Sequence, residues 1–141
     1  MKMNSDFVVA VHSLVFLAYA PTSLRTSDNI AKSVAIHPVR VRKVLSMLRK
    51  HGYIQSKQGA HGGFYLADDP RTITLDKLYA LTSGGPLKPK WPNSDQKCMI
   101  GNNIERAMDD IFESTEHQVL AHLVGYTIAD VLERIEKRAY S

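Results

Sequence analysis

The chain opens on a run in which apolar side chains crowd a helical wheel. Val8, Val11, His12, Val15 and Ala18-Tyr19 share one stripe between Asp6 and Ala20, and Leu14, Phe16 and Leu17 widen it. The spacing predicts a mostly buried helix facing inward along that stripe, closed by Pro21. Next comes a short helix to Val34, N-capped by Thr26 or Ser27, with Ile30, Ala31 and Val34 inward. After Ala35-Ile36-His37 a third helix starts at Pro38, a residue suited to a first helical turn. Its Val41, Val44, Leu45 and Leu48 make a firm inner face, and Gly52 stands where a left-handed C-terminal cap belongs. Two helices across so tight a turn predict a helix-turn-helix.

The period then changes from helical to alternating. Tyr53–Ser56 and Phe64–Leu66 read as two strands of a hairpin whose tip, from Lys57 to Gly63, holds three glycines. A helix-turn-helix followed by such a hairpin is a winged helix. Thr74 is placed to cap a short helix, Leu75–Thr82, that ends at Gly84-Gly85. Residues 84–97 are rich in Pro, Gly and Lys and read as a linker, with Trp91 packing on the body. A long amphipathic helix is predicted from Asn102 to about Val124. Ile104, Met108, Ile111, Phe112, Val119 and Leu123 line one side of it, facing a dimer partner. A last helix follows a cap at Thr127. The fold class is mainly α with a small β-hairpin wing. Residues 1–83 form a winged helix-turn-helix, 84–101 a linker and 102–141 a helical dimerisation region.

Charge divides the chain. Residues 1–66 carry nine Lys/Arg against two acids, and residues 67–141 carry nine against twelve. A basic half joined to a mildly acidic half suggests a polyanion-binding part, with a solvated basic surface as the plainer alternative. The single cysteine excludes an intrachain disulfide and fits a reducing cytoplasm. No apolar run is long enough to cross a bilayer, and the first residues lack a signal-peptide pattern.

The chemistry concentrates on the outer side of the Pro38 helix. His37, Arg40 and Lys43 recur at three-residue spacing, Arg42, Ser46 and Arg49 adjoin them, and Lys50 extends the surface. Cations at a helix C-terminus favour its dipole without any ligand, which accounts for Arg49 and Lys50. It does not account for Arg40, Arg42 and Lys43 near the positive end. In a helix-turn-helix that end enters the major groove. Val39, Arg40 and Lys43 are therefore expected at base edges, and Arg49 and Lys50 at phosphates. The expected DNA-binding set is completed by Thr26, Ser27 and Pro38, and by Lys57, Gln58, Gly59 and His61 at the hairpin tip. There the glycines are expected to let the turn approach DNA.

The run from Ile30 to Gly84, IAKSVAIHPVRVRKVLSMLRKHGYIQSKQGAHGGFYLADDPRTITLDKLYALTSG, resembles the DNA-binding half of the Rrf2 family of bacterial winged-helix regulators. The wing's GxxGG followed by a Pro and ITL carries the resemblance, which extends more loosely over nearly the whole chain. It implies a homodimeric, sequence-specific transcriptional regulator, read as a repressor, on a palindromic operator, with the long helix crossing its partner. Two features depart from the family. Cluster-binding relatives carry three cysteines after the wing and a further ligand. Here Cys98 stands alone, the earlier positions fall near Pro86 and Pro92, and Gly101 occupies a place where a ligating histidine can stand. One thiol cannot provide the four ligands that a [2Fe–2S] cluster normally needs, so no cluster and no other cofactor is expected. In the wing, Gln58 replaces the arginine that many relatives place before the first glycine. That weakens minor-groove reading by the wing.

Cys98 itself reads as a passive thiol, a redox switch favoured by Lys97, or a metal ligand. The histidines suggest no metal site: His117 and His122 are five apart, off one helical face, and His12 reads as a hydrogen-bonded core residue. No nucleophile–base pair or phosphate-cradling loop is present, so an enzyme is not expected. A protein-interaction module using the same basic face is the alternative to a DNA-binding regulator. The expected partners are double-stranded DNA and a second copy of the chain, with no membrane. An effector pocket would fall between the winged unit and the long helix, around Trp91 and Tyr126.

Overall fold

A computed structural model of the protein describes residues 5–83 and 91–140. Six helices and one hairpin follow in the order α1 (Ser5–Tyr19), α2 (Ser27–Val34), α3 (Pro38–Lys50), β1 (Ile54–Lys57), β2 (Gly63–Leu66), α4 (Leu75–Thr82), α5 (Met99–Leu123) and α6 (Ile128–Tyr140). The mainly helical fold with a β-hairpin wing is the one expected.

Local signals set the helix-turn-helix. Thr26 caps α2 by accepting from the Asn29 N–H at 3.1 Å, while the Asn29 side chain accepts in return from the Thr26 N–H. Ala35 ends the helix in the left-handed conformation, φ 59°, and its N–H donates to the Ala31 carbonyl. Gly52, at φ +83°, turns the chain from α3 into β1. The two strands pair antiparallel from Ile54–Leu66 to Lys57–Gly63. Each begins one residue away from its expected start.

The core gathers Val9, Leu14, Leu17, Ile30, Val41, Leu45, Leu48, Ile54, Ile73, Leu78 and Ile128, every one of them at most 1% exposed. That list corrects the expected inner face of α1. The buried side is Val9, Ala10, Ser13, Leu14 and Leu17, joined by Val15 of the expected stripe, whereas Val8 and Tyr19 of that stripe are 50% and 57% exposed. A helix apolar all round has no unique stripe, and α1 turns its second apolar side toward α6.

Two further expectations shift. Thr74 stands at the N-cap of α4 without a side-chain cap bond, and its hydroxyl is buried without a partner among the described residues. The segment is held by tertiary bonds instead: the Leu75 N–H donates to the Tyr126 carbonyl, in a short bridge where Thr74 pairs with Thr127. That bridge, with the reciprocal Thr127–Asp130 cap, roots α6 in the core through Ile128. The long helix also starts three residues early, at Met99 with Cys98 as N-cap. Gly101 makes this possible: a Cβ there would lie 2.6 Å from the Asp95 carbonyl, so only glycine lets the preceding loop fold onto the helix. The expected helix end at Gly84-Gly85, and the linker positions 84–90 including Pro86, lie outside the described residues.

Candidate nucleic-acid interface

Burial fixes which side of α3 faces outward. With Val41, Val44, Leu45 and Leu48 inside, the opposite side is Val39, Lys43, Ser46 and Lys50, each exposed. Val39 is 59% exposed, a valine turned to solvent one residue into the helix. Arg42 and Arg49 lie on the edge toward the wing, where Arg49 Nη1 donates to Ser56 Oγ of β1 at 2.9 Å. Arg40 lies on the other edge. Its Nε contacts Asp6 Oδ1 of α1 at 3.2 Å, an ion pair in which both groups keep some exposure. Arg40 is thus tethered on the flank, while Lys43 and Val39 stand at the centre.

His37 has a structural task as well. It is the N-cap of α3, and its Nδ1 accepts from the Val39 N–H at 3.2 Å. Thr26 is occupied in the same way at the head of α2, with Ser27 half-buried beside it. Pro38 is half-buried at the first helical position.

The wing extends from the same side. Lys57, Gln58, Gly59 and His61 are all exposed at its tip. The glycines divide by cause, which changes the expectation that all three serve close approach to DNA. A Cβ on Gly62 would collide with the Lys57 carbonyl, and one on Gly63 would lie 2.9 Å from the Arg25 carbonyl. Only Gly59, φ +112° with open space where a side chain would stand, is free of such neighbours.

Gly63 points to an anchor invisible in the sequence. Arg25 pairs with Phe64 as a third strand fragment, by hydrogen bonds of 3.1 and 2.7 Å. Its guanidinium sits 5.0 Å from the Phe16 ring centroid on α1, a cation–π contact. Asp6 and Arg25 support this surface and are not singled out by periodicity, because both act through contacts distant in sequence; Ser46, already placed beside Arg42 and Arg49, stands on the outward line itself.

The remaining candidates fall elsewhere. Cys98 is exposed at the start of α5, and the Gly101 and Ile100 backbone N–H groups hold its thiol below the ordinary range. Those amides, rather than Lys97, are the groups acting on it. Among the described residues no three His, Cys, Asp or Glu side chains gather as a metal site, and no helix is long and apolar enough to cross a membrane. His12 donates to or accepts from Ser33 of α2 at 2.8 Å, as a hydrogen-bonded, half-buried residue. Of the expected dimer stripe on α5, Ile104, Met108, Phe112, Val119 and Leu123 are half-buried and Ile111 is 56% exposed; no residue of α5 is buried. A cavity of about 680 Å³ lies between α1 and α6, away from the place expected around Trp91 and Tyr126. Tyr126 does border a cavity of about 460 Å³, beside Arg134 of α6.

Comparison with known proteins agrees with this geometry. Residues 3–134 match the Rrf2 family, described as iron-dependent transcriptional regulators. A Bacillus subtilis protein named as the HTH-type transcriptional regulator YwnA is 31% identical over 134 residues, covering 94% of this chain and 98% of its own. The crystal structure of a transcriptional regulator from Lactobacillus plantarum superposes with a TM-score of 0.80 at 31% identity, over 93% of this chain and 89% of that one. The fold is shared with IscR of T. potens, TM-score 0.77 at 21% identity, over 100% and 93% of the two chains.

Proposed function

The chain belongs to the Rrf2 family of transcriptional regulators, and from that premise we propose that it reads a palindromic operator as a homodimer. In this reading α3 lies in the major groove of each half-site, in the bacterial cytoplasm. Val39, Lys43 and Ser46 face base edges, with Arg42 reaching in from the wing side. Lys50, Arg49, Lys57 and the tip residues Gln58, Gly59 and His61 contact phosphates. Arg40 steadies the helix on its flank.

The observation that carries the reading is the outward face of α3. It sets a 59% exposed valine and Lys43 along one line, with Arg42 on the adjoining edge, in the N-terminal half of the helix, the part that enters a groove. In the free protein that arrangement is unfavourable: cations near a positive helix end and an apolar side chain in water both cost free energy. Duplex DNA offsets both, with acceptor edges and thymine methyl groups.

The donors present do not fit an iron–sulfur cluster. Cys98 is the sole cysteine and is exposed. The position where the resemblance can place a histidine is Gly101, which has no room for a side chain against Asp95. The regulator therefore works without a cluster in this reading.

Selection of bound sequences from random duplexes tests the proposal. An enriched motif with two-fold symmetry and half-site centres about one helical turn apart, or a multiple of it, is the expected result. Recovery of no motif would favour a winged-helix module that binds an acidic protein through the same face.

A further inference from the structure

The wing has two strands of four residues each. A hairpin of that size is marginal by itself, so what fastens it to the body decides where its tip stands. An arginine serves each strand. On β1, Arg49 of α3 reaches Ser56 Oγ at 2.9 Å. On β2, Arg25 exchanges backbone hydrogen bonds of 2.7 and 3.1 Å with Phe64 and adds a third strand fragment.

The Arg25 side chain is placed in a way that this backbone pairing does not require. Its Nε is buried and has no hydrogen-bond partner among the described residues. A buried donor left unmade costs free energy. What lies against the guanidinium instead is the face of Phe16, with Cζ 5.0 Å from the ring centroid. Phe16 stands in the last turn of α1, which has no basic residue of its own. The guanidinium thus brings a cation to the negative end of that helix.

We propose that Arg25 is a positioning residue for the wing: laid on Phe16, it fixes the hairpin to α1 and so sets which phosphates the tip reaches. The proposal rests on the operator reading given above and goes beyond it by naming what places the wing. The same helix holds α3, through the 3.2 Å contact of Asp6 with Arg40. Asp6 and Phe16 are ten residues apart, about 15 Å along α1. One helix therefore carries the reading helix near its start and the wing near its end, and Arg25 makes the second of those joints. The joint matters the more because the tip holds Gln58, which has no charge to draw it toward a groove. Such a tip meets DNA where it is held, whereas a loose one has to be ordered on binding at an entropic cost.

The test is hydroxyl-radical footprinting of the full chain on duplexes recovered by selection, with affinities from fluorescence anisotropy. The wild type is expected to protect the sugars met by α3 and, beyond them, a flanking patch met by the wing. Arg25→Ala should lose the flanking patch and bind about three- to tenfold more weakly, the scale of one cation–π contact. Its protection at α3 and its selected base pairs should stay, which also shows that the variant is folded. Phe16→Leu leaves every cation in place and should act alike, while Phe16→Tyr keeps the ring and should match the wild type. Combining Arg25→Ala with Phe16→Leu should add nothing to either change alone. Flanking protection that survives in Arg25→Ala overturns the proposal and leaves the operator reading standing. A loss in Arg25→Ala without one in Phe16→Leu does the same, because Arg25 would then be touching DNA itself. A wild type that protects no selected duplex overturns the operator reading and the proposal together.

Discussion

Asp6, in the first turn of α1, holds Arg40, in the first turn of α3, through a 3.2 Å contact at Nε. The contact joins residues thirty-four apart in sequence and makes α1 a brace for the reading helix. It also subtracts one positive charge from the DNA-facing surface. Asp6→Asn is expected to cost less than about 1 kcal/mol in stability, because the pair is half-exposed. The released Arg40 then gains a phosphate, and the slope of log K against log salt steepens by about 0.9. Binding to operator and to unrelated duplex would both tighten, narrowing their ratio. Fluorescence anisotropy across a salt series checks this, and an unchanged slope would show that Arg40 reaches phosphate regardless of Asp6.

Gly63 sits where the wing meets the loop before α2. Gly63→Ala places a Cβ 2.9 Å from the Arg25 carbonyl, a backbone atom that cannot swing aside. A loss of about 1–3 kcal/mol is expected, as for other overpacked sites. Operator affinity should fall with it, because the hairpin's bond to Arg25 carries the tip. Gly59→Ala has open space around it and strains only its own φ, so it should cost less. Thermal melts of the two variants, side by side, give the comparison.

Much of this was legible in the sequence, and the reasons are local. The Thr26 cap, Pro38 at a helix start, Gly52 after a helix end and the glycine-rich tip each act within a few residues. So the helix-turn-helix and wing stand where the pattern put them, within a residue. What could not be read is tertiary. Val8 and Val11 are as apolar as Val9, Leu14 and Leu17, so nothing in α1 alone says which side meets the core. Gly101 reads as a linker glycine until Asp95 is seen packed against it. Arg40 and Lys43 look alike in the pattern until Asp6 is seen beside Arg40, a contact that no local signal announces.

Burial holds His12 below its ordinary pKa of 6.5. The unfolded chain therefore takes up a proton at a pH where the folded chain does not. The contribution is fully present above about 6.5 and is lost as pH falls below that value. Protonation also changes the ring's role toward Ser33 on α2. Melting temperatures from pH 7.5 down to 5.5 should fall more steeply for the wild type than for His12→Gln. Parallel curves would remove His12 from the account.

Anaerobic incubation with ferrous iron and sulfide is expected to leave the chain without a stoichiometric cluster, and operator affinity unchanged. Cys98→Ser should behave alike under reducing conditions, since the thiol lies at the start of α5, away from α3. Iron and sulfide bound at two each per chain, lost in Cys98→Ser, would refute the cluster-free reading.

In the proposed reading the outward face of α3 specifies the operator, with Lys43 at its centre. The most direct measurement is binding-site selection with the wild type and Lys43→Ala in parallel. The wild type should yield a two-fold symmetric motif. Lys43→Ala should yield the same motif with information lost at matching base pairs in both half-sites, a discrimination of about 1–3 kcal/mol at each. An identical motif from both proteins would contradict the claim.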